Sequence, residues 1–240
     1  MRKLFINSAL LWLTAVGITA SADDKSPPKH LTEAQELVRH LDLKHTTYEH
    51  GAARVVWNGT CESHADCSGF VDALLMHSYS YDADSYKRWF DSHRPSARRY
   101  HDAIVEEKGF VSIKRIPDVQ PGDLLAVKYL TRDDNTGHLM LAAGSLRRIQ
   151  VKKPLVAGTD QWEISIIDSS KSGHGPSDTR HKKGRNGKDH EGLGEGVLRV
   201  YSTAGGDVAG FTWSALDSSE FKSPKEEHLV FGRLKTGFKP

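Results

Sequence analysis

The spacing of apolar residues changes character once along this chain, close to Gly109, and that change limits the fold more than any other feature. Before it the apolar positions recur with a helical period. Ala34, Leu37, Val38 and Leu41 fall on one stripe, and Thr32-Glu33-Ala34-Gln35 at its head reads as a capping box. Phe70, Val71, Leu74 and Leu75 repeat behind Asp66 at i, i+1, i+4 and i+5, so a second helix is expected there. Helical spacing continues from about Ala83 to Glu107, with Gly109 as the terminator. After that point the pattern is short apolar runs between turn signals. Pro121-Gly122-Asp123 turns into the run Leu124–Tyr129, the polar loop Thr131–Gly137 follows, and His138–Ala143 returns. Further strands are expected at Glu163–Ile167, Val197–Tyr201, Val208–Trp213 and His228–Phe231. Helices followed by a series of antiparallel strands specify an α+β fold.

The first residues do not belong to that fold. Arg2 and Lys3 precede an apolar run from Leu4 to Ala20, which ends in Ala20-Ser21-Ala22 before Asp23. A positive start, a short greasy core and small residues at its end are the marks of a secretory signal peptide, cleaved after Ala22. The mature protein is then expected in the periplasm or the medium, with no stable membrane span. The formal charge of +2 loses its meaning as well. Residues 1–22 contain no acid, so without Arg2 and Lys3 the remaining cations equal the 31 acids. Residues 23–50 read as a leader with a helix, and 51–240 as the main domain. With 38% hydrophobic residues the chain can build one sizeable core, and two cysteines cannot make a disulfide framework.

The chemistry concentrates around Asp66-Cys67-Ser68-Gly69. Asp66 is a good N-cap, which sets Cys67 in the first helical turn, where backbone amides and the helix dipole favour an anion. A thiolate nucleophile needs a histidine and a polar group to orient it, both brought from elsewhere in the fold. His138, at the mouth of a strand behind a polar loop, is the candidate base. Asp168, just past an apolar run, is the candidate orienting group, with His174 six residues on as its competitor. Other readings of the cysteines remain open: a Cys61–Cys67 disulfide, or a metal site from Cys61-x-x-His64-x-x-Cys67 with His77. No second Cys/His pair follows at suitable spacing, so no metal or cofactor is expected. Most of the 13 histidines, such as His40, His45, His50 and His101, are expected on solvated helix faces. Between Ser169 and Gly194 lies a long polar loop with a basic run. Its Arg180, Lys182, Lys183, Arg185 and Lys188 could grip an anionic cell-surface polymer. Nucleic acid is not expected, because no aromatic residue is interleaved.

Four segments in order resemble the NlpC/P60 family of papain-like cysteine peptidases: Trp57-Asn58-Gly59, Asp66-Cys67-Ser68-Gly69-Phe70-Val71, Pro121-Gly122-Asp123-Leu124 and Gly137-His138-Leu139. The resemblance spans roughly residues 52–170. It implies a papain-like fold, with the helix carrying the nucleophile packed on an antiparallel sheet, and cleavage of an amide bond in peptidoglycan stem peptides. Position by position it implies Cys67 as nucleophile, His138 as base and Asp168 as third residue, and it implies peptide binding at Asp66 and Ser68; Trp57 and His174 are further candidate substrate-binding residues. The chain departs from the family at Val55, where many members carry a tyrosine, and at Asp168, where His, Asn or Gln is commoner. Two further functional readings stay open: a non-catalytic cell-wall-binding protein of the same fold, and an acyl transferase or lipid deacylase.

Overall fold

A computed structural model describes residues 26–132, 135–181 and 189–240. The segment read as a signal peptide, its expected cleavage position, and Lys182, Lys183, Arg185 and Lys188 therefore lie outside the described residues. The architecture is mixed α+β with a large antiparallel sheet. Four helices come first: α1 (Lys29–His40), α2 (Cys67–Tyr79), α3 (Ala83–Phe90) and α4 (Ala97–Val105). Around them run the short strands β1 (Thr46–Thr47), β2 (Arg54–Val56) and β3 (Glu62–His64), a three-stranded sheet ordered β1-β3-β2. The remaining strands are β4 (Phe110–Ile113), β5 (Leu124–Tyr129), β6 (Gly137–Ala142), β7 (Arg147–Ile149), β8 (Thr159–Ser170), β9 (Gly192–Thr203), β10 (Val208–Thr212), β11 (Phe221–Lys222) and β12 (Glu227–Leu234). They form the large sheet in the order β11-β10-β9-β8-β6-β5-β12-β4, with β7 also paired to β8.

Period-two alternation divides the interior between the two faces of this sheet. Leu124, Ala126, Leu139 and Leu141 pack towards the helices, with Phe70, Val71, Leu74 and Leu75 of α2 against them. Leu125, Val127, Met140, Ile164, Ile166, Leu198 and Phe231 fill the opposite face. The four α2 side chains are fully buried, each worth about 1.5–3 kcal/mol of apolar transfer. Truncating one, for instance Leu74→Ala, costs about 2–5 kcal/mol. The same burial lays α2 across β6 and β8, the strands that carry His138 and Asp168.

Several sequence expectations are corrected here. The first helix starts at Lys29 behind Pro28, so Thr32 lies inside it and caps nothing. Its early start places His30 between the Tyr79 hydroxyl (2.6 Å) and the Gly122 carbonyl (2.7 Å). The helical stretch 83–107 is two helices, because Asp91 takes a left-handed conformation (φ 52°) and Pro95 cannot continue a helical ladder. The loop expected from Ser169 to Gly194 is shortened at both ends, since β8 runs to Ser170 and β9 begins at Gly192. His101 is buried at 4% exposure on α4, bonded to His228, rather than solvated.

Candidate active site

Asp66 caps α2 as its position before the apolar run demands: its Oδ1 accepts from the Gly69 amide at 2.7 Å. That cap leaves the earlier first-turn amides, Cys67 and Ser68, without intrahelical partners. The other carboxylate oxygen is held by Arg94 (2.6 Å) and His50 (3.0 Å). Burial opposes ionisation of Asp66, yet the Gly69 amide, His50 and Arg94 outweigh it and hold its carboxyl below the usual range.

His138 and Asp168 meet because of sheet register. Leu141 pairs with Ile167, which sets Asp168 opposite Met140, diagonal to His138 and on the same face of the sheet. His138 Nε2 lies 2.6 Å from Asp168 Oδ2, and Cys67 faces the same ring. Burial alone would strip the imidazole of its charge. The Cys67 charge and the Asp168 bond outweigh it and push His138 up to about 10. Asp168 is fully buried, which would raise its proton affinity, but Arg180, His174 and His138 together hold it well below the ordinary carboxylate value. The residue ahead of His138 must be glycine: Gly137 has φ +141°, and a Cβ there would sit 1.9 Å from the Val127 carbonyl oxygen. The sequence-derived trio is thus assembled in space from α2, β6 and β8.

Other expected site residues fall elsewhere. His174 does not line the cleft. It is 5% exposed behind Asp168, with Nε2 3.0 Å from Asp168 Oδ2 and Nδ1 2.8 Å from the Trp213 carbonyl oxygen. Trp57 also lies off the cleft, stacked on His77 at 4.2 Å and donating to the Glu33 carbonyl. Arg180 is not part of a basic surface, because it is completely buried beside Asp168 and Asp178. Both cysteines are free thiols, and His64 turns to the Thr47 hydroxyl instead of joining them. His138, Asp168 and His174 are the one convergent set of metal-donor side chains among the described residues. Their donor atoms already bond one another, and the Arg180 guanidinium lies 2.8 Å from the second Asp168 oxygen. That set suits a carboxylate that orients an imidazole better than a cation site.

No protein-family model matches the chain, and no solved structure matches it. An uncharacterized protein of Acanthamoeba polyphaga mimivirus is 33% identical over 227 residues, which span 88% of this chain and 98% of the viral protein. The chain belongs to that protein's family.

Above Cys67 opens a cleft of about 400 Å³, lined by Tyr48, His50, Asp66, Ser68, Arg94 and Lys171 among others. Tyr48 follows β1 and sits against Cys67, where burial and then the charges of Cys67 and Asp66 raise its proton affinity, so it stays a hydroxyl donor. The Lys171 ammonium lies 5.7 Å from its ring centroid. The sequence reading missed Tyr48, Arg94, Lys171 and Asp178. Tyr48 stands nineteen residues before Cys67 with no spacing rule to tie the two together. Arg180 carried the one available signal, in its single Asp neighbour two residues back, and the basic run after it masked that signal.

Proposed function

We infer that this protein is a cysteine hydrolase with a papain-like arrangement of helix and sheet, exported across a membrane, that opens an amide bond through an acyl-enzyme. The observation that carries this reading is a buried imidazole bonded to a buried carboxylate at 2.6 Å, with the thiol at the N-terminus of α2 near enough for its charge to act on the same ring. With Nε2 bonded to ionised Asp168, the nitrogen left for Cys67 is Nδ1. His138 takes the thiol proton there, and the sulfur attacks the carbonyl carbon. The negative charge that develops on the carbonyl oxygen would be met by the Cys67 amide and the Tyr48 hydroxyl. His138 then gives its proton to the leaving amine, the C–N bond breaks, and an acyl-thioester remains. Water, deprotonated by the same ring, releases the acid and restores the thiol.

Peptidoglycan stem peptide is the substrate to try first, and its support is the resemblance of the four segments to the NlpC/P60 family. A tyrosine absent at Val55 is supplied to the cleft by Tyr48, from the segment that follows β1. The non-catalytic reading is the weaker one, because both thiols are free and the imidazole is charged and aimed. The experiment is release of soluble muropeptides from purified cell walls by the mature protein and by Cys67→Ala. Wild type should release them and Cys67→Ala should not. Equal release by both refutes the mechanism, while release of fatty acid from lipid instead moves the reading to a deacylase.

A further inference from the structure

We propose that Arg180 is a positioning residue for this chemistry: it fixes the orientation and charge of the Asp168 carboxylate, so that His138 keeps its Nε2 proton on that carboxylate and its Nδ1 edge for exchange with Cys67. The inference rests on the cysteine-hydrolase reading and deepens it.

Arg180 has no exposed surface, which is rare for an arginine unless every donor is used. Nη2 donates to Asp168 Oδ1 at 2.8 Å, and Nη1 reaches the backbone carbonyls of Asp168 (3.2 Å) and Gly192 (2.9 Å). The opposite edge of the guanidinium is clamped by Asp178: Nε donates to Oδ1 and Nη2 to Oδ2, each at 2.8 Å. Asp178 is itself fixed by the backbone amides of His174 (2.8 Å) and Arg180 (2.8 Å). The strand beneath is stripped to admit this clamp. A Cβ on Gly194 would lie 2.7 Å from Arg180 Nε, and one on Gly196 would lie 2.4 Å from Asp178 Oδ2. The loop after β8 therefore folds down onto β9 and delivers one cation to the far side of the catalytic carboxylate.

The consequence is a tautomer. Groups facing Asp168 are His138 from β6, with Cys67 of α2 beyond it, and His174 and Arg180 from the loop, with Asp178 behind Arg180. Arg180 is the chief charge that overcomes burial of this carboxyl. Without it, Asp168 takes up a proton at a higher pH. A protonated Asp168 donates to Nε2 and forces the proton of neutral His138 onto Nδ1, where it can no longer accept from Cys67. The asparagine variant of a catalytic aspartate fails for the same reason, the wrong tautomer.

The test is the rate at which iodoacetamide alkylates Cys67, followed from pH 4 to 9 by peptide mass in wild type, Arg180→Gln and Arg180→Lys. This readout needs no substrate. The acid limb should move up by about one pH unit or more in Arg180→Gln. In Arg180→Lys, which keeps a charge but loses the fork, it should move by less. A folded Arg180→Gln with the wild-type limb overturns the proposal. So does a rate reduced equally at every pH, which marks a purely structural arginine. If Arg180→Gln fails to fold, Arg180→Lys decides alone: a raised limb supports the proposal, and an unmoved limb overturns it. A wild-type Cys67 with no acid-side reactivity refutes the hydrolase reading and this inference together. A reactive wild type with unresponsive variants refutes this inference alone.

Discussion

Two histidine–aspartate pairs lie against the same sheet, and their imidazoles shift in opposite directions. His138 bonds Asp168 at 2.6 Å, with a cation, Arg180, on the same carboxylate. His101 of α4 lies 3.0 Å from Asp102, with a cation, Lys128, on that carboxylate at 2.7 Å. By residue type the two are alike. Yet His138 is pushed up to about 10, whereas His101 is lowered, by burial first and with the neighbouring His228 adding to it. Two things differ. Asp168 is fully buried while the Asp102 side chain is 42% exposed, so water weakens its pull. On its other side His138 meets a thiol able to become an anion, whereas His101 meets a second imidazole at 2.8 Å. An aspartate beside a histidine does not by itself make a charged base; the group on the other ring nitrogen decides.

The largest expected effect breaks this comparison if it fails. Asp168→Asn should lower kcat/KM by roughly 10³-fold or more, while Asp102→Asn should leave it within about two-fold. Equal losses would mean that the two pairs are functionally equivalent. The pH profile sharpens the same point. The imidazolium of His138 is lost as pH rises, so the alkaline limb of kcat/KM in wild type should lie near pH 10 and move down in Asp168→Asn. Next in size is Tyr48→Phe, which removes a hydroxyl found only at the Cys67 pair. It should lower kcat about ten-fold with little change in KM, close to the loss of one hydrogen bond in the transition state.

The smallest effect concerns stability. The folded values of His101 and His228 lie below the ordinary 6.5, so their contribution is present above that pH and fades as pH falls. His138 runs the other way: its contribution is full below 6.5 and fades as pH rises towards 10. His228→Gln should therefore flatten the loss of thermal stability between pH 7 and 5, with activity unchanged. An unaltered slope would remove the His101–His228 pair from the comparison.

The trio of Cys67, His138 and Asp168 was legible in the sequence because each member has a local signature. Cys67 follows an N-cap, His138 opens a strand behind a required glycine, and Asp168 interrupts an apolar run. The α+β order was legible for the same reason, since periodicity reports which faces are buried. What was hidden depends on contacts distant in the chain. Tyr48 reaches Cys67 only because the small sheet pairs β1 with β3, and Thr46 ties it to Leu193 of β9 (2.7 Å). Arg180 looked like the start of a solvated basic loop because charge density says nothing of burial, and its ion pairs with Asp168 and Asp178 exist only once β9 lies beneath it. His174 and Trp57 carry plausible site chemistry, but their polar atoms are committed to a carbonyl and a carboxylate, and to the Glu33 carbonyl, respectively.

The central claim is that Cys67, His138 and Asp168 form one nucleophilic unit, and the chain carries its own control. Cys61 and Cys67 are both free and nearly equally buried, at 8% and 5% exposure, so access alone does not separate them. The direct measurement is iodoacetamide labelling of the native protein at pH 5.5 without reductant, read by peptide mass. Cys67 should react on the order of 100-fold faster than Cys61. Equal, slow labelling of the two, or an intact mass two hydrogens short, would contradict the account.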